Sequence, residues 1–166
     1  LRRRLRPQLD TAAEKAVWIH AVSVGEVRSL RSLIETLAQG GQRIVLSVTT
    51  PAGYEFARHA YPGLDVILSP LDLSFVVRRF IERIQPRLVI FNELEVWPNW
   101  ISLLRRCRVP MLLINGRVSD KAFRRYRAFR LVLRPFFRGV DRFLVQNELY
   151  RQRFLRDWLF LEVRVG

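Results

Sequence analysis

The sequence predicts an α/β fold, a Rossmann-like parallel sheet with helices on both faces, and three observations carry the prediction. Short apolar, β-branched runs recur at Val17 to Val22, Arg43 to Val48, Asp65 to Leu68, Leu88 to Phe91, Met111 to Ile114, Arg142 to Val145 and Glu162 to Val165. Most are continuously apolar rather than alternating, as expected of strands covered on both faces. Amphipathic stretches fill the gaps between them, and parallel strands need such crossover helices. A sheet of about six or seven strands follows, a count taken from the apolar runs.

In chain order, residues 1–15 carry four arginines near their start and Pro7, and are expected to be an irregular basic lead-in. Residues 16–166 should form one Rossmann-like domain. Helices are expected over Glu26 to Gln39, Ala52 to Ala60, Ser74 to Ile84, Trp97 to Arg106, Lys121 to Phe137 and Glu148 to Trp158. The punctuation agrees: Gly40-Gly41 ends the first helix, Pro51 can start the second, and Gln85-Pro86 closes the third. Pro135 should kink or end the fifth. The chain opens Leu1-Arg2-Arg3-Arg4 and stops at Gly166 just after a strand-like run, so both ends are expected to be cuts within a longer protein.

Composition narrows the function classes. With 166 residues, 49% of them hydrophobic, the chain can bury a sizeable core. Its apolar runs fall far short of the roughly 20 residues that span a bilayer. Lysine and arginine number 29 against 15 acids, a net charge of +14. That excess calls for an anionic partner, whether nucleic acid, an anionic membrane surface or a phosphorylated substrate, unless it reflects only an arginine-rich composition. The single cysteine, Cys107, excludes an internal disulfide. His20 falls in a strand and His59 in a helix with no second ligand at metal spacing, so no metal site is expected.

In such a sheet ligands sit beyond the strand C-terminal ends, and four such edges stand out. After the first strand comes Ser23-Val24-Gly25-Glu26, where Gly25 permits close backbone approach and Glu26 falls in the first helical turn. Glu26 is either a base or a complement to the helix dipole. The fourth strand runs into Asn92-Glu93-Leu94-Glu95, which places Glu93, and with it Glu95, near Glu26; pairing with an arginine or capping the next helix is the competing role. Trp97 and Trp100 are more naturally packing residues than sugar platforms. Thr49-Thr50-Pro51-Ala52-Gly53 is a helix cap with hydroxyls open to a ligand. Asn115-Gly116-Arg117-Val118-Ser119 offers an amide and a guanidinium fork for a phosphate or carboxylate, or is ordinary turn chemistry. Finally, Lys121 to Arg138 interleaves Arg124, Arg127 and Arg130 with Phe123, Tyr126 and Phe129, a basic amphipathic helix suited to an anionic interface or to covering the core.

Taken in order, these edges resemble the Kdo (3-deoxy-D-manno-octulosonic acid) transferases. The matching pieces are His20-Ala21-Val22-Ser23-Val24-Gly25-Glu26, Thr49-Thr50-Pro51-Ala52-Gly53-Tyr54-Glu55, Pro70-Leu71-Asp72, Glu93-Leu94-Glu95-Val96-Trp97-Pro98-Asn99, Asn115-Gly116-Arg117-Val118-Ser119 and Gln146-Asn147-Glu148. The resemblance implies the N-terminal, acceptor-binding half of a GT-B glycosyltransferase, with the donor-binding domain lying outside this chain. It implies inverting transfer of Kdo from CMP-Kdo to the lipid A precursor in lipopolysaccharide core synthesis, with no cofactor and no metal in the chemical step. Glu26 then corresponds to the general base and Glu93 to a second essential acid. Ser23, Gly25, Thr49, Thr50, Glu95, Asn115, Arg117 and Ser119 are the expected acceptor-binding set. The implied partners are the lipid acceptor, CMP-Kdo and an anionic surface at the cytoplasmic face of the bacterial inner membrane, with no nucleic acid. Arg156-Asp157-Trp158-Leu159 departs from the Leu-Gly-Ala turn common in the family. Two alternatives stay open at this stage: another GT-B nucleotide-sugar transferase, and a non-catalytic nucleic-acid-binding α/β module.

Overall fold

The computed structural model describes residues 2–9, 15–93, 97–117, 128–158 and 163–165. After a single helical turn, α1 (Arg2–Leu5), the elements are β1 (Val17–Ala21), α2 (Val24–Ser29), α3 (Arg31–Gln39), β2 (Ile44–Val48), α4 (Pro51–Ala60), β3 (Asp65–Leu68) and α5 (Ser74–Ile84). Then follow β4 (Leu88–Asn92), α6 (Pro98–Arg106), β5 (Met111–Gly116), α7 (Arg130–Phe137), β6 (Arg142–Val145), α8 (Glu148–Trp158) and β7 (Val163–Val165). All seven strands form one sheet in the order β3-β2-β1-β4-β5-β6-β7, and every pairing is parallel. This is the Rossmann-like α/β fold the apolar runs predict.

The burial of the central strands shows why their sequences read as continuous apolar runs. All five residues of β1, and all five of β2, are buried. Val17, Ile19 and Ala21 join one core layer with Val27, Ile34, Tyr54 and Ala57 from α2, α3 and α4. Trp18 faces the opposite layer with Val77 and Phe80 of α5, Trp100 and Leu104 of α6, and Phe154 of α8. Alternation is present, but both faces are apolar, so period two disappears from the sequence.

Helix ends follow local chemistry. Gly41 adopts φ 68° after α3, Pro51 occupies the first turn of α4, and Gln85 closes α5 in a left-handed conformation. Among the described residues, no helix is long and apolar enough to cross a membrane.

Four expectations need correction. The lead-in is not wholly irregular: Arg2–Leu5 is helical, and Arg4 Nε donates to the Ser69 carbonyl at 3.0 Å, which ties this segment to the end of β3. The helix expected over Glu26 to Gln39 begins at Val24 and is two helices meeting at Leu30, whose ψ of −3° departs from helical geometry. Ser29 Oγ donates back to the Glu26 carbonyl at 2.8 Å, a local bond that bends helices. Val27, Leu30 and Ile34 keep helical spacing across the break, so periodicity could not reveal it. The fifth strand extends through Asn115 and Gly116. Pro135 lies inside α7 without ending it; its ring removes one helical donor close to the C-terminus, where Arg138 N–H still reaches the Arg134 carbonyl at 3.0 Å. Lys121 to Arg127, the first part of the predicted basic helix, lies outside the described residues, as does Glu162.

Candidate functional site

The strand order reverses beside β1. From β1 the chain moves to β2 on one side, and from β4 to β5 on the other, while β1 and β4 are themselves paired, with His20 beside Phe91. Such a switch point opens a crevice at the C-terminal edge. Glu26 lies just past β1 and Glu93 just past β4, so the two predicted carboxylates flank that crevice. Thr50 follows β2 and Asn115 lies near the end of β5, on the same edge.

Glu26 is built into a variant of the capping box, its carboxylate reaching the N–H one residue before the N-cap. Ser23 is the N-cap of α2 and its Oγ accepts from the Glu26 N–H at 3.4 Å. In return the Glu26 carboxylate accepts from the Val22 N–H at 3.0 Å through Oε2 and from the Ser23 hydroxyl at 3.3 Å through Oε1. Reciprocal caps of this kind satisfy helix donors and contribute about 1 kcal/mol. They also hold the carboxylate by two donors at the crevice.

Glu93 is held differently. Its backbone is left-handed at φ 64°, an unusual state for a residue with a Cβ. Its N–H still pairs with the Ile114 carbonyl at 2.9 Å, and its carboxylate meets Arg117 Nη2 at 2.9 Å. The pairing with an arginine weighed from the sequence is thus present. Capping of the next helix is performed instead by Asp72, from the loop after β3, whose carboxylate accepts from the N–H groups of Asn99 at 3.3 Å and Trp100 at 3.1 Å.

The remaining expected residues divide. Thr50 Oγ1 caps α4, accepting from the Gly53 N–H at 3.2 Å. Thr49 Oγ1 lies 3.1 Å from Ser69 Oγ, toward β3 rather than the β1–β4 crevice. Asn115, also left-handed at φ 53°, donates through Nδ2 to Asn92 Oδ1 at 2.7 Å. At Gly25 a Cβ would meet, among the described residues, only Ser23 Oγ at 3.9 Å. At Gly53 a Cβ would lie 2.8 Å from Val48 Cγ1 and 3.2 Å from the Ser23 carbonyl carbon, because α4 abuts the turn that carries Glu26. Glu95 and Ser119 lie outside the described residues.

Trp100 is a packing residue, 1% exposed, with its ring 4.5 Å from that of Trp18 and 5.0 Å from that of His20. Trp97 is half-buried, edge-on to His20 at 5.8 Å. Sequence reasoning missed Asn92, Ser29 and Asp72. A polar residue closing an apolar strand was the available signal for Asn92, whereas the Asp72 cap joins segments 27 residues apart.

The fold and the acid groups at its switch point define a Rossmann-like ligand-binding domain of the kind used by group-transfer enzymes. The family described as 3-Deoxy-D-manno-octulosonic-acid transferase (kdotransferase), a glycosyltransferase N-terminal domain, matches residues 1–159, and the chain belongs to that family. It is similar to the 3-deoxy-D-manno-octulosonic acid transferase of Chlamydia pneumoniae, 34% identical over 143 residues that cover 84% of this chain and 33% of the relative. The enzyme of the same name from Haemophilus influenzae is 32% identical over 144 residues, covering 84% and 34%. A bifunctional glycosyltransferase/methyltransferase of Fusobacterium nucleatum is 30% identical over 148 residues, covering 87% of this chain and 23% of that one. The chain spans about a third of the length of the transferases it matches.

Proposed function

We propose that this domain is the acceptor-binding half of a GT-B Kdo transferase, and that Glu26 is its general base. The donor is CMP-Kdo, bound chiefly by a domain outside this chain, and the acceptor is a hydroxyl of the lipid A precursor. The observation that carries the reading is the Glu26 carboxylate, which accepts from the Val22 N–H and the Ser23 hydroxyl just past β1, at the switch point of the sheet. In the transfer, the acceptor oxygen attacks the anomeric carbon of Kdo as the bond to CMP breaks. The hydroxyl proton passes to Glu26, and attack opposite the leaving group inverts the centre. The chemical step needs no metal. Glu93 and Arg117 form a fixed charge pair that orients groups around the acceptor, and the open approach at Gly25 lets substrate reach the backbone. Ser23, Asn115 and Arg117 complete the acceptor side with Glu95 and Ser119, while Thr49 and Thr50 frame it.

The net charge of +14 suits a phosphorylated acceptor and the anionic cytoplasmic leaflet. Exposed Phe75, with Arg79 over its ring, and exposed Leu73, Phe129 and Leu131 supply apolar groups for such an interface. The test is transfer by the complete protein, supplied with labelled CMP-Kdo or other labelled nucleotide sugars and the tetraacylated precursor. Labelled lipid is expected from CMP-Kdo alone. Transfer of a different sugar would move the protein to another GT-B activity, and salt-sensitive binding of DNA or RNA without any transfer would remove it from catalysis.

A further inference from the structure

Between the two acids runs a set of polar contacts that neither the base nor the ion pair accounts for. Asn92, the last residue of β4, is 1% exposed in an otherwise apolar strand. Its Oδ1 accepts from Asn115 Nδ2 at 2.7 Å, and its Nδ2 donates to Ser29 Oγ at 3.4 Å. Ser29 Oγ in turn donates to the Glu26 carbonyl at 2.8 Å. One buried amide thus joins the ends of β4, β5 and α2. A buried amide in this setting costs free energy unless bonded, so its presence calls for a purpose that a packed apolar residue would not serve.

The backbone on either side of Asn92 supplies that purpose. The next residue, Glu93, is left-handed, and so is Asn115, which bonds Asn92. Asn115 sits at an irregularity in the β5–β6 ladder: Leu113 pairs with Phe143 and Gly116 with Val145, so two residues of β5 stand against one of β6. Such bulges re-aim the residues that follow them. Here the residue beyond the bulge is Arg117, whose guanidinium meets the Glu93 carboxylate at 2.9 Å. The Asn92–Asn115 bond therefore lies at the root of both arms of the ion pair, one residue before Glu93 and two before Arg117.

We infer that Asn92 is a positioning residue for the transfer, its side chain clamping the left-handed ends of β4 and β5 so that Glu93 and Arg117 are held in register at the switch point. This rests on the reading of the site as that of a Kdo transferase. Loss of the clamp leaves both charged groups in the protein but lets their backbones relax, and small misplacements around a reacting centre can lower rates by about 10²-fold.

The test is a double-mutant cycle on kcat in the complete protein, with labelled CMP-Kdo and lipid acceptor. Asn92→Ala is expected to lower kcat roughly tenfold to 10²-fold, with acceptor KM moving in the same direction as it does in Glu93→Gln. In an Arg117→Ala background, where the pair no longer exists, the same substitution should add less than about threefold. Asn92→Asp keeps the oxygen that accepts from Asn115 but loses the donor to Ser29 and buries a charge, so its turnover should fall between those of Asn92→Ala and the wild type. Losses that multiply fully in the two backgrounds would overturn the clamp and leave Asn92 as a stability residue only. Should Asn92→Ala fail to fold, Asn92→Ser, which takes away the oxygen that accepts from Asn115 but keeps a polar group at the site, carries the same two-background comparison. If Glu93→Gln and Arg117→Ala both transfer Kdo at wild-type rate, it is the reading of the site that fails. If they are impaired while Asn92→Ala and Asn92→Ser are not, only the clamp fails.

Discussion

Glu26 and Glu93 stand at the ends of neighbouring parallel strands, yet they are secured by opposite means. Glu26 takes contacts from its own turn, through Val22 and Ser23, within a span of five residues. Glu93 is fixed from outside: Arg117 reaches it from beyond the neighbouring strand, and Asn92 beneath it is bonded to Asn115. A locally capped carboxylate is oriented as soon as its helix forms, whereas one in a left-handed backbone depends on the assembled sheet edge. Substitutions around Glu26 should therefore act on chemistry with little effect on the fold, and those around Glu93 should spread through the edge.

The largest expected effect is at Glu26. Glu26→Gln keeps size and much of the cap but cannot accept the acceptor proton, so kcat should fall by at least about 10² with acceptor KM within a few fold. A comparable rise in KM would assign the residue to binding. Glu93→Gln comes next: it weakens the contact with Arg117, and steady-state kinetics should show kcat and acceptor affinity changing together. A pure kcat effect there would erase the difference drawn between the two acids.

Smaller effects separate packing from approach. Gly53→Ala forces a Cβ against Val48 and the Ser23 backbone, and should lower stability by about 1 to 3 kcal/mol in chemical denaturation. Gly25→Ala meets nothing closer than 3.9 Å among the described residues, so its unfolding midpoint should move little while transfer declines, because the added methyl group occupies the substrate's approach. Equal stability losses at the two glycines would contradict the open approach at Gly25. Asp72→Ala removes the acceptor for two first-turn donors of α6 and should cost about 0.5 to 2 kcal/mol in the same measurement.

These contrasts also explain what the sequence could disclose. The strands, the edges and the Ser23–Glu26 turn were legible because each depends on neighbours in the chain: apolar runs, caps and glycines. The break at Leu30 was not, since apolar spacing continues across it and the Ser29 back-bond that bends the helix leaves no periodic trace. The Asn92–Asn115 bond and the Asp72 cap of α6 join segments 23 and 27 residues apart, which only the strand order brings together. Thr49 reads as a ligand group because its hydroxyl follows a strand; the 3.1 Å contact of that hydroxyl with Ser69 at the end of β3 depends on sheet order and leaves no local trace.

The most direct test of the central claim is single-turnover transfer from CMP-Kdo to the lipid acceptor by folded Glu26→Gln protein, with both substrates bound before the reaction is followed. If Glu26 takes the proton, labelled lipid forms at least about 10² more slowly than with the wild type while the circular dichroism spectrum is unchanged. Formation at the wild-type rate would contradict the account and leave Glu26 as the closing residue of a helix cap.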